Sequence, residues 1–148
     1  RNIENPWGNI WEWIDGVNFS DGTVYVCTTP ANYADDTTSG YTNAGTKTQS
    51  DGWIKAIGIS STAPWAFFPT EVGGSETTYI PDYAYFSSGW RVLNVGGNYS
   101  NTTGNVGLFN FNANNTSSNS NSNVGARLLV FSLIGAGFSS PLGENIAA

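Results

Sequence analysis

The sequence predicts one domain of short strands and structured loops, with little room for long helices. The chain has 148 residues, which is the size of a single domain. Only 11% of the residues are charged, glycine is frequent with 18 copies, and no sustained helical period is present. Six Trp, seven Tyr and eight Phe supply enough large apolar side chains for a core.

Runs of β-branched and aromatic residues beside turn signals mark the strands. Residues 23–28 (TVYVCT) follow the turn Asp21-Gly22, and residues 17–20 precede it, so a β-hairpin is predicted there. The other predicted segments are a short helix or strand at 9–14, a loop at 30–52, strands at 53–59 and 90–93, an irregular buried segment between the prolines at 64–69, and a strand pair that begins at 125.

Charge and residue usage exclude several classes of function. The net charge of −6 disfavours DNA and RNA as partners, because an acidic surface repels phosphate groups. The chain has no histidine, so catalytic triads and metal sites that use histidine are excluded. Cys27 is the single cysteine and is predicted to be a small buried apolar residue. The apolar run at 128–138 is about half the length that spans a bilayer, so membrane insertion is not expected.

A segment near the C-terminal end has an unusual composition. Ten asparagines lie from Asn98 to Asn123, with Ser and Thr in most of the gaps. These residue types bond their own backbone and favour loops. Leu108, Phe109 and Phe111 lie among them, although disordered polar tracts rarely carry so many large apolar groups. The segment is therefore predicted to be an ordered polar surface held from below, with Leu108 and Phe109 in the core.

Three motifs occur in an order that resembles a known family. They are GNIWEW at residues 8–13, GWRVL and GGNY within residues 89–99, and SNVGARL at residues 122–128. Together they resemble the formylglycine-generating enzymes. That resemblance implies an α+β, C-type lectin-like fold, rich in loops and short antiparallel strands, formed by residues 1–148 as a single domain. It does not extend over residues 30–82.

Residues 96–99, 106–109 and 119–127 more closely resemble the variable proteins of diversity-generating retroelements. In that family, asparagine codons are targets of adenine mutagenesis. The resemblance implies a non-enzymatic domain that displays a hypervariable surface to a protein or glycan receptor on a bacterial surface, as in phage attachment. It implies a location on the virion, in a phage tail, or on the surface of a bacterial cell that carries a prophage. The chain is then expected to be the C-terminal part of a longer protein.

The resemblance places ligand contacts in the polar segment after Gly97. Asn and Ser offer hydrogen-bond donors and acceptors, while Tyr and Phe offer flat apolar area, as in antibody loops. By spacing alone, these residues would be solvated loop positions. Asn119, Asn121 and Asn123 are instead predicted to bond backbone groups. The predicted ligand-binding residues are Tyr99, Ser100, Asn101, Thr102, Thr103, Asn105, Asn110, Phe111, Asn112 and Asn114.

A buried frame is predicted beneath this surface. Tryptophan can bury a large apolar area, so several of them would fix the backbone. Glu12 and Arg127 both belong to the resembling motifs and are expected to pair, because a buried charge needs a partner. The tryptophans of the predicted frame are Trp7, Trp11, Trp13 and Trp90.

The sequence is also compatible with functions other than receptor binding. Formylglycine-generating enzymes bind copper through cysteines, and residues 98–115 contain none, so no enzymatic activity, cofactor or metal is expected. One alternative is a catalytically inactive relative of these enzymes, and another is a structural phage-tail or adhesin domain. Calcium at Asp35, Asp36 and Asp51 stays open, without an EF-hand spacing. A homo-oligomer formed through the parent protein also stays open, since several copies would add weak contacts together.

Overall fold

The computed structural model describes residues 7–101 and 105–126. Within these ranges the chain forms strands joined by turns, a short 3-10 helix at Pro30–Asn32, and no α-helix. The strands are β1 (Trp11–Ser20), β2 (Thr23–Val26), β3 (Thr42–Thr46), β4 (Gly52–Ile59), β5 (Phe67–Val72), β6 (Tyr83–Phe86), β7 (Trp90–Val95), β8 (Phe111–Ala113) and β9 (Val124–Gly125).

The prediction of an α+β, C-type lectin-like fold is wrong, because the described chain is almost entirely β-structure. Of the helix or strand predicted at residues 9–14, the strand is present, because residues 11–14 belong to β1. Strand β1 lies between β2 and β7 and also pairs with β9, so its backbone groups are satisfied by neighbouring strands. Pairing with neighbouring strands therefore decides the conformation of a segment whose local sequence fits both a helix and a strand.

The strands form one barrel-like sheet in the order β3-β2-β1-β7-β8-β6-β4-β5, with β9 beside β1. The sheet is nearly closed, because hydrogen bonds link its two ends. The Thr48 N–H after β3 donates to the Pro69 carbonyl oxygen of β5 at 2.8 Å. The Thr62 hydroxyl donates to the Asn43 carbonyl oxygen of β3 at 2.5 Å. The proline in β5 is tolerated because β5 is an edge strand.

The core lies inside the curve of this sheet. Phe19 of β1 is 2% exposed and packs edge-on against Phe111 of β8, with ring centroids 5.6 Å apart. Val24, Phe68 and Leu93 complete the buried cluster from β2, β5 and β7. Strands far apart in sequence therefore meet at one apolar centre, which fixes β7 and β8 relative to β1.

Several local predictions are confirmed. Strands β1 and β2 form the predicted hairpin, with Ser20 opposite Thr23. The strands predicted at 53–59 and 90–93 are present as β4 and β7. The loop predicted at 30–52 is wrong in part, because it contains β3. Of the strand pair predicted from residue 125, only its start in β9 falls within the described residues.

The frame of four buried tryptophans is only partly present. Trp11 is 4% exposed, and Trp13 and Trp90 are half-buried. Trp7 is 51% exposed, so the prediction that it is buried is wrong. Trp11 lies in β1 and pairs with β9, whereas Trp7 precedes β1 and belongs to no strand.

Gly16 marks a bulge in β1, where the register with β7 shifts between Ile14 and Asn18. Its φ of +76° favours glycine, and an added Cβ would lie 2.7 Å from the Cys27 carbonyl oxygen. Gly89 has a similar φ of +78°, but its Cβ would have 4.0 Å of clearance.

We expect Gly16→Ala to lower the free energy of unfolding by about 2 kcal/mol more than Gly89→Ala does, because only Gly16→Ala adds a clash with backbone to the φ strain. Urea denaturation of both variants measures the difference. Equal losses of stability would show that the close contact at Gly16 is not rigid.

Candidate functional site

A polar cavity of about 200 Å³ opens where β1, β6, β8 and β9 meet the loop after β8. We call it the amide cavity, because seven of its ten lining residues are asparagines. The sheet brings these segments together, since β8 pairs with both β6 and β7, and β9 pairs with β1. The lining residues are Trp11, Tyr85, Asn101, Asn112, Asn114, Asn115, Asn119, Asn121, Asn123 and Val124.

Part of the lining is held by a row of side-chain amides. The Asn119 Nδ2 donates to Asn115 Oδ1 at 2.6 Å, and the Asn115 Nδ2 donates to Asn94 Oδ1 at 2.7 Å. Asn94 is fully buried in β7, and its own Nδ2 has no partner among the described residues. The row therefore anchors the cavity wall in the sheet and leaves an unpaired donor behind it.

Three other lining asparagines do not take part in this row of side-chain hydrogen bonds. Within residues 7–101 and 105–126, no side-chain hydrogen bond joins Asn114, Asn121 or Asn123 to another residue. Their backbones are nevertheless fixed. The Asn114 N–H donates to Asn112 Oδ1 at 2.9 Å, and the Asn123 carbonyl oxygen accepts from the Trp11 N–H at 2.9 Å. These side chains therefore present donors and acceptors from a held backbone.

Aromatic rings form another side of the amide cavity. Trp11 and Tyr85 meet edge to face, with centroids 6.0 Å apart, and Tyr83 packs beside Tyr85 at 4.7 Å. The Asn101 Nδ2 donates to the Tyr85 hydroxyl at 3.2 Å. Burial raises the pKa of Tyr85, and a hydrogen bond with Asn105 lowers it in part. Tyr85 therefore stays neutral at physiological pH.

Tyr99 lies beside the cavity and is 62% exposed. Its N–H donates to the Asn9 carbonyl oxygen at 2.9 Å, which holds its backbone near the start of β1. Its hydroxyl lies 3.4 Å from Ser122 Oγ, and Ser122 stands between two lining asparagines. An exposed ring of this kind is typical of a recognition surface.

The described residues among the predicted ligand-binding set lie in three environments: exposed, half-buried and buried. Tyr99 and Ser100 are exposed, while Asn101, Asn105 and Asn114 are half-buried. Thr102 and Thr103 lie outside the described residues. The buried members are Asn110, Phe111 and Asn112. Three of the predicted residues line the amide cavity: Asn101, Asn112 and Asn114.

Four asparagines that were not predicted to contact a ligand also line the cavity: Asn115, Asn119, Asn121 and Asn123. The backbone bonds predicted for the side chains of the last three are absent among the described residues, and Asn119 bonds another side chain instead. Alternation of Asn with Ser was the available signal, but it does not reveal which face the amides share. The expected partner of Glu12, Arg127, lies outside the described residues.

Asp82 holds the loop at 107–110 against the sheet. Its Oδ2 accepts from the Phe109 N–H at 3.0 Å. Burial raises the pKa of Asp82, and this hydrogen bond lowers it in part. Gly107 has no space for a Cβ beside the Asp82 carboxylate. Leu108 and Phe109 are 63% and 47% exposed, so the prediction that they lie in the core is wrong. The Asp82 carboxylate contacts the backbone of this loop, and the Leu108 and Phe109 side chains lie on its outer side.

A second cavity, of about 410 Å³, lies behind this loop and is almost entirely apolar. Its walls include Ile57 of β4, Phe67 of β5, Val95 of β7 and the exposed Phe109. It lacks the dense hydrogen-bonding groups of the amide cavity and is lined largely by the inner face of the sheet. The two cavities therefore differ in the chemistry they offer.

Metal-ligating side chains do not cluster in the part of the chain that the structure describes. No group of three or more Cys, His, Asp or Glu side chains that could hold a metal is found in residues 7–101 and 105–126. Cys27 is buried and free, as predicted. The described part of the chain also has no helix long and apolar enough to cross a membrane.

Comparison with known proteins gives no relative for this chain: no family model, curated protein or solved structure matches it.

Proposed function

We propose that this chain is a non-enzymatic receptor-binding domain, which attaches a phage tail or a bacterial cell to a molecule on a bacterial surface. The amide cavity is the observation that carries the proposal. Asn114, Asn121 and Asn123 offer amides that are not hydrogen-bonded to other described side chains. A polar concave site beside an exposed tyrosine is suited to recognition.

The chemistry of the lining favours binding over catalysis. Tyr85 is its one titratable side chain among the described residues, and burial raises its pKa. Acid-base catalysis needs a group whose pKa lies near the working pH, and nucleophilic catalysis needs an activated nucleophile. Amides supply neither, but they orient a ligand through paired donors and acceptors.

The proposal includes variation of this surface, as in the variable proteins of diversity-generating retroelements. Tyr99 and Asn121 are exposed, so other side chains there would leave the core unchanged. Asn112 in β8 and Asn110 just before it are buried, and substitutions there would cost stability. Variation is therefore expected at the exposed and half-buried positions. Sequencing of the neighbouring DNA tests this: a near-copy of the coding region for residues 96–127, differing at adenines and beside a reverse transcriptase gene, is expected.

Binding to intact bacteria tests the proposed function directly. We expect the fluorescently labelled domain to bind some strains of a diverse panel, and the double variant Tyr99→Ala/Asn121→Ala to lose at least about 90% of that signal, because two groups at the surface are removed. Flow cytometry measures it.

The matched control is Asn32→Ala, which removes an exposed asparagine outside the amide cavity and should bind like the unmodified domain. Circular dichroism of all three proteins verifies that they are folded. If no strain binds the unmodified domain, the proposed function is wrong and a structural tail or adhesin domain is favoured. If the double variant binds equally well, the surface at the amide cavity is not the binding site, and the observation that carries the proposal is lost.

A further inference from the structure

We infer that the amide cavity binds a neutral carbohydrate and holds one sugar ring of it. This inference rests on the proposed function, since it names the kind of receptor that the cavity would recognise. Four properties of the site support it: its charge, its two sets of amides, its aromatic side and its separation from the apolar surface.

The absence of charge in the described lining selects a neutral ligand. None of the described lining residues is a Lys or Arg that could pair with a sulfate, phosphate or carboxylate, and none is an Asp or Glu that could pair with an amine. An ion that enters such a site loses water without gaining a counter-charge, which is costly. The net charge of −6 adds a further repulsion against anions.

The amides match the hydrogen-bonding pattern of hydroxyl groups. A sugar hydroxyl both donates and accepts, and an asparagine side chain offers a donor and an acceptor side by side. Asn115 and Asn119 are held by the row that ends at Asn94, so their orientation is set before a ligand arrives. Asn121 and Asn123 carry amides without a bond to other described side chains and can pair with adjacent hydroxyls. Preorganisation of this kind lowers the entropic cost of binding.

The aromatic side and the size suit a sugar ring. Trp11 and Tyr85 line the cavity, and one face of a pyranose carries C–H groups that pack on aromatic rings. The half-buried Tyr85 offers such a surface, whereas Trp11 is 4% exposed and contacts the Tyr85 ring edge to face. Tyr85 is additionally oriented by Asn101. The volume of about 200 Å³ is on the scale of a single ring, so further sugars would extend past Tyr99.

A protein receptor would favour a different surface. Protein interfaces concentrate their binding energy in apolar and aromatic anchors that fill apolar sockets. The amide cavity offers little apolar wall, whereas the apolar cavity behind Phe109 lies elsewhere. A ligand that uses polar groups all around its ring fits the amide cavity better than a side-chain anchor does.

Titration with simple sugars tests the ligand class. Methyl glycosides of neutral hexoses and N-acetylhexosamines are added at millimolar concentration, and tryptophan fluorescence and saturation-transfer NMR are recorded. We expect at least one neutral glycoside to bind and methyl glucuronide not to bind. Asn121→Ala and Asn123→Ala should each weaken binding about five- to tenfold through lost hydrogen bonds, with unchanged melting temperature, and Asn32→Ala should not weaken it. Absence of binding by every neutral glycoside, or preference for the glucuronide, would overturn the inference.

Treatment of the bacterial cells separates this inference from the proposed function. On strains that bind the domain, periodate oxidation of vicinal diols should abolish binding, while digestion of surface proteins with proteinase K should leave it. Loss with proteinase alone would mean that the receptor is a protein, so the carbohydrate inference would fail while the receptor-binding function stands. Failure to bind untreated cells would instead reject the function itself.

Discussion

Replacement of Phe19 by alanine is expected to lower the free energy of unfolding by about 3–5 kcal/mol, the largest effect of any single change considered. Phe19 is 2% exposed and packs against Phe111, with ring centroids 5.6 Å apart. Its removal takes a large apolar side chain out of the interior and leaves space that its neighbours fill only in part. Phe111 precedes Asn112 in β8, so the wall of the amide cavity would also lose support.

Guanidinium denaturation followed by tryptophan fluorescence measures this loss. Phe67→Ala is the matched control, because Phe67 is the same residue type but is 57% exposed. We expect the control to change stability by less than about 1 kcal/mol. Similar losses for the two variants would contradict the position of the core inside the sheet.

Lys47 is expected to make stability depend on pH in the alkaline range. Lys47 is 2% exposed, its Nζ lies 4.7 Å from the centroid of the Phe86 ring, and it donates to the Thr48 carbonyl oxygen at 2.6 Å. Burial lowers the pKa of Lys47 from 10.5 to about 8, and the Asp51 carboxylate raises it only in part. The protonated amine is therefore disfavoured in the folded state, at a cost of about 3 kcal/mol below pH 8.

The sign of the effect follows from proton binding. Between the folded pKa of about 8 and the unfolded value of 10.5, the unfolded chain holds more protons at Lys47, so the free energy of unfolding rises with pH. We expect a gain of about 2 kcal/mol between pH 7 and pH 9.5 in the native chain. Lys47→Met should be more stable at pH 7 and should lack this gain.

Denaturation curves of both proteins at pH 7, 8, 9 and 9.5 test the prediction, and the Lys47→Met variant subtracts every other titrating group. Parallel pH profiles would show that Lys47 is solvated in the native state. The range ends at pH 9.5 because side chains with ordinary pKa values near 10 dominate the pH dependence above it.

The parts of the fold that the sequence predicts are those with a strong local signal. The turn Asp21-Gly22 between β-branched runs predicted the β1–β2 hairpin, and the apolar run at residues 90–93 predicted β7, which ends just before the turn at Gly96-Gly97. Both glycines in the second turn have positive φ, so residue type and backbone conformation agree. Local chemistry decides such features before any distant contact forms.

The features of the fold that the sequence did not predict depend on contacts between residues far apart in the chain. Strand β3 (Thr42–Thr46) has no apolar alternation and becomes a strand because β2 offers it an unpaired edge. The α+β assignment came from a resemblance of three motifs, and the first of these motifs leads into β1, which pairs with three other strands. Leu108 and Phe109 lie exposed on a loop whose Phe109 N–H is held by Asp82, which is 27 positions earlier in the chain. No window of neighbouring residues contains these partners.

The candidate site shows the same division. An asparagine-rich surface with Tyr99 exposed follows from composition, whereas the buried state of Asn110 and Asn112 follows from the position of β8 between β6 and β7. Asn115 and Asn119 join the cavity through side-chain bonds to one another and to a residue in β7. Because asparagine serves equally well in turns, in cores and on surfaces, its role here is decided by neighbours.

The row from Asn119 through Asn115 to Asn94 has a direction. Each amide in it gives its hydrogen to the carbonyl oxygen of the next, running inward from the cavity to the sheet. The outer terminus of this polarised chain is thus an oxygen on Asn119, and the inner terminus is a nitrogen on Asn94. Reversal would require every amide to rotate in concert, so a ligand meets a fixed arrangement at Asn119, where Oδ1 can accept a hydrogen bond and the second hydrogen of Nδ2 can donate one.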